Sequence, residues 1–369
     1  MNEMDQQEEK REFGKEKRKI KPTTVIWIVV SALILIVVGG VAYYRYFSAS
    51  EGGFEIPFVS ERKSNKVANP LDGTEVDPEA AKRYPLAIMV ENHSAARPQS
   101  GLGQASIVYE AITEGGITRF MAVFGPNGAS KVGPVRSART YYIDWLSEFD
   151  AFYVHVGGNM DALDKIKADG VLDLDQFGLG DLAYWREPEA GKAIEHTMYA
   201  STDKLYTQAK KKGWPQTANF QALEFKNEDK EASASLSQNI TIDFSSPSYK
   251  VDWAFDPENN SYLRTQAGIK HLDKTTGDQL EAKNIIIQEI ERWQVTTSIN
   301  EEGWAMRTIG SGKAKVFMEG QMIEATWTKS NRDSRTLFHN TNGKEIEFIP
   351  GAFWIEITPP DVFDKVKVN

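Results

Sequence analysis

Between Glu91 and Asn159 the chain concentrates ionisable and amide side chains where short apolar runs should end: Glu91-Asn92-His93, Arg97, Glu110, Glu114, Arg119, Arg136, Arg139, His155 and Asn159. Polar groups at the ends of buried strands meet at one end of a sheet, so this layout predicts a single lined cleft. Its chemistry would be anion binding. Arg136 and Arg139 stand three apart, with Pro134 ahead and a helical run behind, which puts both on the first turn of one helix. Backbone N–H groups and the helix dipole there favour an anion, and two guanidiniums add bidentate grip. Arg97, just before Pro98, and Arg119, opening a strand, can converge on the same point. The same arginines can equally pair with Glu91, Glu110 and Glu114 as internal ion pairs that fix loops. Spacing leaves both readings open.

Histidine offers less. His155 closes a strand-like run ahead of Gly157-Gly158, where a ligand or backbone can come close, and His93, His196, His271 and His339 are scattered. No HExxH, HxH or HxxxH spacing occurs, so no metal site is expected. Gly310-Ser311-Gly312-Lys313 has Arg307 at the place of the leading glycine of a phosphate loop, and Ala314 where Ser or Thr would hold magnesium. Gly101-Leu102-Gly103 has Ser106 in place of the third glycine of a dinucleotide fingerprint. No Gly-x-Ser-x-Gly occurs. No cofactor is expected and no catalytic residue is assigned.

The elements that must hold these residues are readable from periodicity. Leu86 to Val90, Ser106 to Ile112, Arg119 to Phe124 and Phe152 to Val156 read as strands; Ala138 to Phe149, Met160 to Lys167 and Thr202 to Lys212 read as helices. Strands alternating with helices predict a layered α/β domain over 81–226. Charged and small residues over 227–237 mark a linker. Beyond it, strands at Ile240 to Phe244, Lys250 to Phe255, Ser261 to Arg264, Asn284 to Glu289, Lys313 to Met318, Gln321 to Trp327 and Phe353 to Ile357 predict a mostly β domain over 238–369. Trp253, Phe255, Tyr262, Trp293, Trp304, Trp327 and Trp354 are expected largely in its core. His271 and Asp273, before the Thr276-Gly277 turn, read as a small polar site or a turn-stabilising pair.

Location follows from the N-terminus. Thr23 to Tyr44 is an uncharged apolar run that would span ~33 Å as a helix, enough for a bilayer. Seven Lys/Arg precede it, and only Arg45 follows closely. The positive-inside rule therefore leaves residues 1–22 in the cytoplasm and everything after Tyr46 outside. The competing reading is a cleaved signal peptide at Ser48-Ala49-Ser50, although the run exceeds the usual h-region of about 7 to 15 residues. Residues 45–80, with Gly52-Gly53, Pro57, Pro70 and Pro78, read as a stalk. The chain has no cysteine, which excludes disulfides, thiol catalysis and lipid attachment at a lipobox cysteine. Removing the seven basic and six acidic residues of the tail leaves 36 against 46. Such an acidic body argues against nucleic acid as a partner.

Ala96-Arg97-Pro98-Gln99-Ser100-Gly101-Leu102, Ile107-Val108-Tyr109-Glu110, Glu114-Gly115-Gly116-Ile117-Thr118-Arg119-Phe120 and Val132-Gly133-Pro134-Val135-Arg136-Ser137-Ala138-Arg139 together resemble the YerB-like lipoprotein family of Gram-positive bacteria. Gly268, His271, Asp273, Thr276-Gly277 and Asn284-Ile285-Ile286-Ile287 extend the resemblance toward the C-terminus. It implies two domains of unknown function and an envelope location, and it transfers no catalytic residue. The apolar run at Thr23 to Tyr44 stands where that family carries a lipidated cysteine. A looser pattern, strand–strand–Pro134-Val135-Arg136-Ser137–strand–helix, is similar to the LytR-CpsA-Psr phosphotransferases, whose acidic magnesium ligands have no clear counterpart here. The expectation is a single-pass, extracytoplasmic envelope protein, a ligand- or partner-binding accessory of cell-wall synthesis or its regulation, with an anionic envelope ligand or a wall-synthesis protein as partner. The alternatives are an envelope enzyme of phosphotransferase type acting on a pyrophosphate-linked precursor, and a purely protein-binding scaffold.

Overall fold

The computed structural model describes residues 35–39, 65–229, 238–300 and 302–369. The membrane-spanning helix expected over Thr23 to Tyr44 lies outside the described residues except for 35–39, which are helical. Among the described residues no helix is long and apolar enough to cross a membrane. Ser64–Asn369 forms one compact unit.

Its centre is a nine-stranded mixed sheet in the order Leu337–Asn340, Gln321–Lys329, Gly310–Met318, Asn284–Glu289, Phe353–Thr358, Ile107–Ile112, Thr118–Phe124, Leu86–Glu91, Phe152–Val154. Strands from both sides of the expected 227–237 linker therefore share one sheet. The seam is the parallel pairing of Phe353–Thr358 with Ile107–Ile112, which sets Glu356 beside Glu110. Of that expected linker, 230–237 lie outside the described residues, and the parts on either side of it share one core.

The central strands are continuous runs of Ile, Val, Phe and Tyr because both sheet faces are covered. Alternation then sorts each strand. Leu86, Ile88 and Val90 point into a core shared with a second sheet, while Ala87 and Met89 point under the helices Thr140–Ser147 and Met160–Ala168. The second sheet runs Ile269–Lys270, Ser261–Gln266, Lys250–Asp256, Ile240–Asp243, Lys367–Val368, with Glu281–Ala282 beside Ser261–Gln266. Trp253, Tyr262, Trp327 and Trp354 are buried as expected, whereas Trp293 is 48 % exposed on a separate hairpin, Arg292–Thr296 with Glu302–Met306.

The expected stalk is too long at its C-terminal end. Residues 67–76 pair as a small hairpin whose turn buries Leu71, Asn69 and Asp72. Asn69 reaches Ser106, and Gly351 donates to the Asp72 carbonyl. Pro70 and Asp72-Gly73 are thus turn residues of the folded body, because the apolar Leu71 between them has a place to pack.

Candidate functional site

A cavity of about 410 Å³ opens where the Leu86–Glu91 strand ends, lined among others by Glu91, Asn92, His93, Glu114, Arg119 and Arg136. Antiparallel register sets Glu91 directly against Arg119. Glu91 does not spend its charge there. One carboxylate oxygen accepts from Arg136 Nε at 3.0 Å, and the other from His196 Nδ1 at 2.8 Å. His196 lies flat against His93, with ring centres 4.9 Å apart and planes within 3°. His93 Nδ1 in turn accepts the Ala95 backbone N–H. Glu195 and His196 come from a distant loop, so the cavity is closed by a segment that local spacing could not connect to it.

Glu114 sits on a tight turn in which Gly115 and Gly116 both take left-handed backbone angles, φ 66° and 72°. The turn aims its carboxylate at Arg139, which grips it with Nε at 2.6 Å and Nη2 at 2.8 Å. Burial alone would raise the Glu114 carboxyl; the Arg139 hydrogen bonds and charge offset this and hold it below its ordinary value. Arg119 differs from both neighbours. It is 9 % exposed, donates from Nη1 to the Ser137 carbonyl at 2.7 Å, and has no carboxylate within 4.0 Å among the described residues. Burial, and then the charge of Arg139, lower its proton affinity. Glu114 acts on it only at longer range, and a nearly buried guanidinium with no carboxylate in direct contact, opening into a cavity, is a ready partner for an anion.

Behind the cavity lies a buried polar network that crosses between the sheets. Asn92 donates to Glu110 at 3.1 Å and to Thr118 at 2.7 Å, and receives Arg97 Nε at 3.0 Å. The other Glu110 oxygen meets Arg264, which also donates to Gln266 at 3.0 Å and to His271 Nδ1. Since that nitrogen accepts, His271 carries its proton on Nε2 and donates to Gln99 at 2.6 Å. Burial, and then the charges of Arg264 and Arg97, hold His271 well below the ordinary imidazole value, so it is neutral. Glu356 receives Trp253 Nε1 at 2.8 Å; burial and then Glu110 push its carboxyl well above the ordinary range.

Of the residues singled out in the sequence, Glu91, Asn92, Glu114, Arg119 and Arg136 line the cavity; Arg97 and Glu110 belong to the network behind it, and Arg139 holds Glu114. His155 and Asn159 lie elsewhere. His155 is fully buried between Asp173 at 3.0 Å and the Gly157 carbonyl at 2.8 Å, and Asn159 caps the helix Met160–Ala168 by accepting from Ala162 N–H. One geometric expectation is corrected. Arg136 and Arg139 do not share a helical first turn, because the helix begins at Thr140 and Arg139 is its extended N-cap. The segment before it runs extended beside the Leu86–Glu91 strand instead, held by backbone bonds from Glu91 N–H to the Pro134 carbonyl and from Arg136 N–H to the Met89 carbonyl.

The residues 71–215 match the N-terminal domain of the DUF3048 family of proteins of unknown function, and residues 240–355 match its C-terminal domain. The Bacillus subtilis (strain 168) protein named "Putative lipoprotein YerB" is 31 % identical over 299 residues, covering 80 % of this chain and 87 % of that one. The chain belongs to the YerB-like family. The crystal structure of YerB protein from Bacillus subtilis is similar to it with a TM-score of 0.73 at 29 % identity, across 82 % of this chain and all of the crystallised one. The segments that carry the YerB-like resemblance build the site itself. Gln99 ties His271 to the Glu91–Asn92 strand end, Glu114-Gly115-Gly116 makes the turn toward Arg139, and Arg136 holds Glu91. Sequence reasoning missed Arg264, Gln99, Glu356 and His196 as partners, since each acts across a sequence separation that only the fold closes.

Proposed function

We propose that this YerB-like protein is a membrane-anchored, extracytoplasmic binding protein that holds an anionic group in the cavity of Glu91, Arg119 and Arg136. The observation that carries the reading is Arg119, nearly buried, facing the cavity and lacking a carboxylate partner. Arg136, which is 29 % exposed, spends Nε on Glu91 and adds a second guanidinium at the rim. A phosphorylated wall precursor presents an anion of this kind, which makes cell-wall synthesis or its regulation the process we assign.

The test is thermal unfolding with sodium pyrophosphate. At a hundredfold excess over its dissociation constant the anion should stabilise the protein by about 2.7 kcal/mol, and added salt should shrink the effect because the cavity is open to solvent. Arg119→Gln should abolish the shift. A wild type indifferent to pyrophosphate, or an Arg119→Gln protein that responds equally, refutes the reading.

The location rests on the basic segment ahead of Thr23 and on the lipoprotein naming of the relative. The chain is free of cysteine, so Ser64→Cys places a single thiol in the sequence after the apolar run Thr23 to Tyr44. A membrane-impermeant maleimide should label it on intact cells. Labelling only after lysis reverses the topology.

A further inference from the structure

A second cavity, of about 430 Å³, lies between the loop Ser94–Pro98 and the turn joining Ser261–Gln266 to Ile269–Lys270. Its volume falls within the roughly 300–1,000 Å³ typical of small-molecule sites. No residue lines both this cavity and the one around Arg119. Its walls are mostly apolar, from Pro98, Ala267, Ile269 and Leu272, and Ile269 is 71 % exposed at the mouth. The exposed residue follows Ala267 and Gly268, both with left-handed backbone angles, so the tight turn fixes an apolar side chain where nothing among the described residues covers it.

The polar groups of this cavity are donors in excess. Gln266 is 4 % exposed; its oxygen accepts from Arg264, and its Nε2 has no partner although it is buried. A buried amide donor left unpaired costs about 1–3 kcal/mol, which a ligand oxygen would recover. Arg97 stacks over Tyr249 at 5.1 Å and gives Nε and Nη2 to Asn92, yet no carboxylate lies within 4.0 Å of it among the described residues. Lys270 at the rim is likewise without a carboxylate at that distance. The nearby Glu110 is committed to Arg264, and His271 in the floor is committed to Arg264 and Gln99. Apolar walls, one free buried donor and two unpaired cations define a complementary ligand: an aliphatic body ending in an anionic oxygen group.

We infer that this cavity is a binding site for an anionic amphiphile, with the aliphatic chain along Ile269, Leu272 and Pro98 and the anionic head between Gln266 Nε2 and Arg97. The assignment is independent of the proposal for the Arg119 cavity.

The body Ser64–Asn369 is compact by itself, and the crystallised YerB chain corresponds to 82 % of this chain and is matched in full, so residues 64–369 are the species to titrate. Four decyl probes differ only in the head: decanoate, decyl phosphate, decyltrimethylammonium and decyl glucoside. Decanoate or decyl phosphate should bind saturably, about tenfold or more tighter than the cationic and neutral probes, as charge-assisted bonds require. Which of the two binds tighter tells a carboxylate from a phosphate head. Arg97→Gln should remove the preference for anions. Because Arg97 also supports Asn92, Ile269→Glu gives a second reading at an exposed position that the fold does not depend on: it should weaken the anionic probes and spare decyltrimethylammonium. Pyrophosphate should not displace them. Equal affinity for all four heads, binding of none, or an Ile269→Glu protein unchanged toward decanoate and decyl phosphate overturns the inference.

Discussion

Replacing Arg264 with Met is expected to cost about 3–5 kcal/mol of folding stability, the range for removing one partner of a fully buried ion pair. Arg264 and Glu110 are both fully buried, and Glu356 stands beside Glu110 in the parallel seam. The guanidinium also lies over Trp354 at 4.6 Å, so Met keeps volume and some packing while deleting the charge. What remains is two adjacent buried carboxyls with no cation hydrogen-bonded to either. Glu356 already has its pKa raised by burial and then by Glu110. A carboxyl with a raised folded pKa contributes stability that is present below its unfolded value, about 4.3, and lost as pH rises through the folded value. Arg264 opposes that rise, so its loss pushes the Glu356 carboxyl further up. His271 reinforces the trend, since losing Arg264 relieves part of what holds it neutral and lessens the penalty for protonating it on acidification. The deficit of Arg264→Met relative to wild type should therefore be smaller at pH 5 than at pH 8. Urea unfolding midpoints at the two values check it; a pH-independent deficit would mean that lost packing, and not charge, dominates.

The contrast between what periodicity revealed and what it did not is clearest along Phe353–Thr358. Its apolar run identifies a strand, and the neighbouring runs identify most of the other central strands, because two-faced burial demands continuous β-branched and aromatic residues. Periodicity carries no information about which strand pairs with which. One of the two parallel partners of Phe353–Thr358 is Ile107–Ile112, far away in the chain, so the two halves looked separable when they share a sheet. Side-chain type likewise identified Glu91, Arg119 and Arg136 as a cluster, since all three stand at strand ends or just beyond. Their roles depended on counterions. Arg136 and Arg139 find Glu91 and Glu114 within the same stretch of chain, as the ion-pair alternative allowed, whereas Arg119 finds none. His155, after a strand and before two glycines, has the sequence setting of a site, but it is a satisfied structural histidine whose partner Asp173 lies on a separate loop. The Arg292–Thr296 and Glu302–Met306 hairpin was unread because its alternation is mixed and its only buried residue is Gly303, so neither strand shows an apolar face.

A second buried charge cluster, on the helical side of the sheet, should respond to pH in the opposite sense when its acid is neutralised. Glu148 follows the helix Thr140–Ser147 and is 1 % exposed. It accepts from Tyr109 and, at 2.6 Å, from the Thr336 backbone N–H; Arg335 lies at 3.2 Å and Lys329 at 3.7 Å. Burial would raise its carboxyl, but the charges of Lys329 and then Arg335 prevail and hold it below its ordinary value. That depressed pKa is stability present above the unfolded value and lost as pH falls through the folded one. Glu148→Gln keeps the shape and a carbonyl for Thr336 while leaving two nearly buried cations unpaired, at an expected cost of about 3–5 kcal/mol near neutral pH. Lys329 already has its pKa lowered by burial, against the pull of Glu148. With that pull gone it falls further, the unfolded chain binds the extra proton over a wider range, and stability must rise with pH as Lys329 neutralises. The variant should thus recover part of its deficit between pH 7 and 10 and lose the acid sensitivity that Glu148 confers on the wild type. Chemical denaturation across that range reads the first slope, and the same measurement carried below about pH 5 reads the second. A variant whose deficit stays constant from pH 7 to 10 would show that Arg335, stacked on Phe149 at 4.4 Å, and not Lys329, carries the unpaired charge.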